Sequence, residues 1–150
     1  MTSTAVTPEE FLRRLSGWAR GTMIESHGTR FVSVGRAARS PQLDFTPALA
    51  QLTGRFHAGA IIALADETAT CAAMWETNPS GTFRPELFPS PSNYQSNLIR
   101  NTGQGTLTAE AQIVHRGRNH PRRRGPGLRR SAAAHRQARG DSTGSGGFAG

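Results

Sequence analysis

Gly54-Arg55-Phe56-His57-Ala58-Gly59-Ala60-Ile61-Ile62-Ala63-Leu64-Ala65-Asp66-Glu67-Thr68-Ala69-Thr70-Cys71-Ala72-Ala73-Met74-Trp75 is the most apolar stretch of the chain, and the other segments take their places from it. From Ala58 onward it holds only small or apolar residues, broken by one acidic pair and two threonines. Such a run predicts a helix that is apolar almost all round and lies in the middle of a domain. A membrane span needs about 20 predominantly apolar residues, whereas here Asp66 and Glu67 interrupt the centre of the run, so no membrane association is expected.

Carboxylates in a helix that must be buried call for a reason. Adjacent residues project about 100° apart, so at most one of Asp66 and Glu67 faces any single cleft. One is expected to be functional, and the other solvated or paired. An unpaired buried charge is tolerated mainly where it is hydrogen-bonded or has work to do. Thr70 lies four residues after Asp66, on the same face, where its hydroxyl could donate to the acid. A placement of Asp66 at the margin of the buried face is equally open from the helix alone. At the other end, Gly54 and Gly59 bracket the first turn, where backbone N–H groups have no partner inside the helix and favour an anion or an oxygen gaining negative charge. From Ala58 and Gly59 to Asp66 is about two turns, on the order of 11 to 12 Å of axis.

Gly-x-x-His-x-Gly, followed by an apolar helix with an acid nine residues after the His, resembles the hotdog-fold thioesterases, in particular the PaaI-like and 4-hydroxybenzoyl-CoA thioesterase branch. The resemblance covers most of residues 22–118. It includes Ser96-Asn97-Leu98-Ile99-Arg100-Asn101, and Gly105-Thr106-Leu107-Thr108-Ala109-Glu110-Ala111 through Val114-His115-Arg116-Gly117-Arg118. It implies an α+β hotdog fold, with an antiparallel sheet wrapped around the central helix. It also implies hydrolysis of an acyl-CoA thioester without a cofactor, CoA being part of the substrate, by a homodimer or homotetramer.

Carried over by position, Asp66 is the general base or nucleophile, and Gln51 the amide that orients water or substrate. Ala58, with Gly59, supplies the N–H groups that hold the thioester carbonyl, and Thr70 supports the acid. The family's usual His-Gly-Gly reads His-Ala-Gly here, which a backbone role at Ala58 tolerates. His57 is expected to fix the start of the helix beside the substrate. Ser92 or Ser96 could complete a neighbouring subunit's site. Arg116 and Arg118, with Arg100, could meet CoA phosphates; that rests on charge alone, and solvated arginines are the simpler reading.

Before the central helix, Thr7-Pro8-Glu9-Glu10 carries the signature of a capped helix start with a capping box. Phe11, Leu12, Leu15 and Trp18 then form the apolar side of a short packing helix. Phe31, Val32 and Val34 form one β-prone run and Leu43, Asp44 and Phe45 another. After the helix, prolines at 79, 85, 89 and 91 make 78–91 a loop. Residues 92–100 are read as a strand, and 106–115 as the clearest strand, with Leu107, Ala109, Ala111 and Ile113 on one face.

Length gives one domain, 1–120. Cys71 is the chain's single cysteine, which excludes an internal disulfide, suits the cytoplasm and reads as a buried structural thiol. No basic n-region followed by an apolar run opens the sequence, so no signal peptide is expected. His115 and His120 lack a third ligand, so no metal site is expected.

All 18 basic residues are Arg, the net charge is +8, and the pI is about 11.6. Much of this charge lies in 121–150, whose large apolar residues are Leu128 and Phe148. That composition predicts a disordered Arg/Gly-rich tail. It also stands where the resemblance implies one or two further apolar strands after 106–115, so the last strand or strands are expected to be missing and the 106–115 strand to be left as an open edge. A shift of reading frame near 119–121 in a GC-rich gene is one account of the change and a native tail the other, and translating the other two frames of the coding DNA tests between them. Two readings from other classes stay open: a non-catalytic hotdog domain that binds acyl-CoA or scaffolds an assembly, and a nucleic-acid binder acting through its basic tail. The second is disfavoured by the weakly basic first 120 residues and the want of aromatic residues between the arginines.

Overall fold

The computed structural model describes residues 5–35, 39–78, 80–90, 93–113 and 132–136, with the backbone alone at 39, 40, 87 and 132–136. Helices α1 (Pro8–Trp18) and α2 (Met23–His27) lead into strand β1 (Arg39–Asp44), a 3₁₀ turn at Pro47–Leu49 and the long helix α3 (Ala58–Thr77). A second 3₁₀ turn at Pro85–Leu87 precedes β2 (Thr106–Ile113) and β3 (Ala132–Arg136). The three strands form one antiparallel sheet in the order β1-β2-β3.

In the β1–β2 ladder, Leu43 faces Leu107 and Asp44 faces Thr106, with a register shift between Arg39 and Gln42. Pro41, fully buried, lies in that shift, where a residue without an N–H costs the ladder least. Asp44 binds the Arg30 guanidinium through both oxygens and accepts from the Thr106 hydroxyl at 2.6 Å. The Arg30 bonds, and then the Thr106 bond, hold its carboxyl down at about 2.

Two apolar clusters flank α3. Ala60, Ile61 and Leu64 from its first half pack with Leu43, Leu49, Phe56, Leu107 and Ala109, and Phe45 meets Phe56 edge-on. Cys71 and Met74 from its second half pack with Phe11 and Leu15 of α1 and with Trp18, Phe31, Val34 and Trp75. Phe11 is edge-on to Trp75 at 5.2 Å, so α1 docks on the helix as its apolar spacing predicts. Arg14 fastens the far end of α3 by donating to the carbonyls of Gly81 (3.0 Å) and Ser80 (3.2 Å). The helix is not buried all round: Ile62, Ala63, Asp66, Ala69 and Thr70 lie on a partly open side.

Several expectations need correction. The Thr7 hydroxyl caps Glu10 N–H at 3.2 Å, but Glu10 does not return the bond; its carboxylate is taken by Arg13 and Arg14 at 2.7–2.8 Å. Phe31 to Val34 form no strand, because only the Arg30–Gln42 bridge pairs there and Phe31 and Val34 turn into the second cluster. Residues 93–100 form no strand either: they are exposed and pair with no edge of the β1-β2-β3 sheet. Ala132–Arg136 lies within the tail expected to be disordered, yet it pairs with Ala109–Ile113 and covers the edge of β2 expected to stand open. Ladder hydrogen bonds hold this strand, and a composition argument that counts only large apolar residues overlooks them. The rest of the tail lies outside the described residues.

Candidate active site

His57 sets the start of α3. Its backbone is extended (φ −63°, ψ 138°), and its Nδ1 accepts from Gly59 N–H at 2.9 Å, the side-chain cap that Ser or Asp more often supplies. Its carbonyl takes the N–H groups of Ala60 (3.0 Å) and Ile61 (3.3 Å). A Cβ at residue 59 would come within 3.0 Å of Nδ1, so glycine there makes room for the ring. Gly59 N–H is therefore already engaged, and the pair of donors suggested by the sequence reduces to one. Ala58 N–H has no partner among the described residues and sits at the positive end of a 20-residue helix.

Gln51 lies where expected, in a turn just ahead of that end. Gly54 N–H closes the turn on the Gln51 carbonyl at 2.9 Å, with Gly54 at φ 73°, a conformation that glycine adopts without strain. Gln51 N–H bonds Arg55 O at 2.8 Å, and its side-chain amide donates to the Thr53 hydroxyl at 2.8 Å. Ala50, Gln51, fully exposed Leu52, Thr53 and His57 line an open recess beside the Ala58 N–H.

Asp66 is on the partly open side of α3, about two turns from Ala58. Burial raises its carboxyl pKa, so the carboxylate is more basic than an exposed aspartate. Thr70 stands one turn further on without hydrogen-bonding to it. Tyr94, which the sequence reading did not single out, comes near: burial, and after it the negative charge of Asp66, raise the phenol pKa. The one available signal was that it is the chain's single tyrosine.

Glu67 turns the other way. It shares the inward stripe with Leu64, Cys71 and Met74 and is 8% exposed, and neither carboxylate oxygen has a hydrogen-bond partner. His27 Nδ1 and Thr29 Oγ1, near enough to act on its charge but not within hydrogen-bonding geometry, are likewise buried without partners among the described residues. Burial raises the Glu67 pKa, and Thr29 and His27 oppose that only in part. This corrects the expectation that the second acid would be solvated or paired. Helical spacing fixed its direction, but what α2 would place opposite it was not readable. Cys71, 4% exposed, is a core thiol whose pKa burial pushes up to about 12.

Ser96 and Arg100 are exposed in the irregular 93–100 segment, and Ser92, Arg116, Arg118, His115 and His120 lie outside the described residues. Among the described residues, no group of three or more His, Cys, Asp or Glu side chains could hold a metal ion, and no helix is long and apolar enough to cross a membrane.

No family model matches the chain. The "Putative esterase Rv1847" of Mycobacterium tuberculosis is 31% identical over 91 residues, which are 61% of this chain and 63% of that protein. A protein described likewise in Deinococcus radiodurans is 27% identical over 118 residues, 76% of this chain and 70% of its own length. The chain thus spans 63% of the length of the M. tuberculosis relative. Against the solved structure of Rv1847, the TM-score is 0.53 at 32% identity, covering 63% of this chain and 73% of that one. Thioesterase HI1161 from Haemophilus influenzae gives a TM-score of 0.58 at 18% identity over 78% of this chain and 75% of its own. A mutant thioesterase PA1618 from Pseudomonas aeruginosa gives 0.56 at 20% identity over 71% and 73%. The last two likenesses establish the fold alone.

Proposed function

This chain belongs to the hotdog-fold thioesterase family, and we propose that it hydrolyses an acyl-CoA thioester to the free acid and CoA. One observation carries the reading. An N–H at the start of α3 without a partner among the described residues and a carboxylate made more basic by burial lie on the same helix, which is the donor and base that thioester hydrolysis requires.

In this mechanism the carbonyl oxygen is held by the Ala58 N–H. Asp66 takes a proton from a water molecule as its oxygen bonds to the carbonyl carbon. The C–S bond then breaks, and CoA leaves as a thiolate that takes up a proton. A thiolate is a good leaving group, so one base and one oxyanion donor suffice. The protein works as a homodimer or homotetramer; the exposed Leu98 and Ile99 support an apolar contact between copies. The lone cysteine supports a cytoplasmic site of action.

The test is thiol release from short, medium and aryl acyl-CoA thioesters by the wild-type chain and by Asp66→Asn. The variant is expected to lose more than about 100-fold in kcat with its thermal midpoint retained. The base must be unprotonated and its pKa is raised, so wild-type kcat should climb with pH through a midpoint above the ordinary aspartate range. A folded wild-type protein inactive on the whole panel would sink the hydrolase reading. Full activity in Asp66→Asn would sink the assignment of the base.

A further inference from the structure

We propose that Asn101 is a positioning residue that aims the Ala58 N–H, an inference that rests on the hydrolase reading above. The Phe56–His57 peptide, the last one before the peptide that carries this N–H, is gripped at both ends. Its carbonyl accepts from Asn101 Nδ2 at 2.7 Å, and its N–H donates to Leu49 O at 2.7 Å. Gripping that plane fixes the frame from which the next peptide is set. The bonds that His57 makes with the first turn, Gly59 N–H to its Nδ1 and the Ala60 and Ile61 N–H groups to its carbonyl, hold φ and ψ of His57 from the other side. With the frame and both torsions set, the direction of the Ala58 N–H is determined, since trans peptides leave no other soft dihedral between the two planes.

Of these restraints, the side-chain donor in front of His57 is supplied by Asn101, and its orientation is itself fixed. Asn101 Oδ1 accepts from Thr102 N–H at 2.8 Å, so the amide must present Nδ2 to Phe56. The surrounding loop is tied to the same segment. Phe56 N–H donates to Thr102 O at 2.9 Å, and Arg55 Nη1 to Asn101 O at 3.3 Å. Gly103 approaches so closely that a Cβ there would stand 2.4 Å from Gly54 O. The loop therefore reaches the helix start as a fitted brace, with the Asn101 amide as its polar contact on the peptide that matters.

Two variants test this. Asn101→Ala removes the donor, and Asn101→Asp can keep the bond to Thr102 N–H while setting a carboxylate oxygen against the Phe56 carbonyl. Asn78→Ala serves as control, because Asn78 makes a comparable side-chain bond, to Thr82 O, at the opposite end of α3. Amide hydrogen exchange at His57 and Gly59 should quicken on the order of tenfold in both Asn101 variants, while the middle of α3 keeps its protection. In acyl-CoA hydrolysis, kcat should fall at least about tenfold with KM unchanged, and Asn78→Ala should leave kcat in place. Unchanged exchange at His57 and Gly59 would overturn the proposal. So would equal losses of kcat in the Asn101 and Asn78 variants, which would mark a merely structural role. An inactive wild-type chain whose His57 exchange still responds to Asn101 would overturn the hydrolase reading and support the brace.

Discussion

Glu67→Gln should stabilise this protein, and the gain should depend on pH. Glu67 is 8% exposed, and among the described residues both its oxygens lack partners, as do the nearby His27 Nδ1 and Thr29 Oγ1. Burial raises its pKa; the Thr29 hydroxyl and His27 pull it down, and the neighbouring Asp66 charge adds to the rise. A carboxyl whose folded pKa exceeds its unfolded value holds its proton more tightly in the folded state. Its contribution is fully present below the unfolded pKa and is lost as pH rises through the folded pKa. At pH 8 the wild-type chain must either bury the charge or keep the proton against the solvent.

A glutamine of the same shape removes that choice, and its NH₂ can donate to His27 Nδ1 or Thr29 Oγ1. One relieved buried polar group is worth about 1–3 kcal/mol, or roughly 2–12 °C in thermal midpoint for a domain of this size. Thermal melts of both proteins from pH 4 to pH 8 measure it, with a large difference at pH 8 that shrinks towards pH 4. Asp66 also has a pKa raised by burial; it is present in both proteins, so only its coupling to the Glu67 charge enters the difference. A variant no more stable than wild type at pH 8, or a gain that ignores pH, would show that the carboxylate is paired or hydrated and that this reasoning fails.

Two further outcomes follow from packing. The Cys71 thiol, with its pKa pushed up to about 12 by burial, should resist a disulfide reagent at pH 8 in the folded protein and react as a single thiol in urea; prompt labelling of the native chain would contradict its place in the core. Gly103→Ala sets a Cβ 2.4 Å from the Gly54 carbonyl, a backbone atom that cannot swing aside, and should cost about 2 kcal/mol in urea unfolding; a neutral result would mean the brace loop is looser than its contacts imply.

The apolar run from Ala58, with its His and paired acids, was legible because helical spacing and composition act locally. So were the Thr7 cap and the apolar side of α1. The Leu107 and Ala109 face of β2 followed from two-residue alternation in the same way. The strand expected at 92–100 was not settled by alternation, because a strand exists only where its backbone pairs with a sheet edge, and residues 93–100 pair with none. The strand at Ala132–Arg136 was missed for the converse reason: pairing can supply order that its alanine-rich composition does not announce.

At the candidate site, sequence by itself determined that Asp66 and the start of α3 lie on one helix, about two turns apart, and that Asp66 and Glu67 point in different directions. Both follow from the fixed rise and rotation of a helix. Tertiary structure decided which acid is buried, because that depends on α2 bringing His27 and Thr29 against one side. It also decided which N–H stays open. The His57 ring closes on Gly59, and Asn101, 45 residues beyond Phe56 along the chain, holds the peptide in front of Ala58. No local pattern encodes a contact across that separation, because the hydrogen bond forms only once the fold has brought the two segments together.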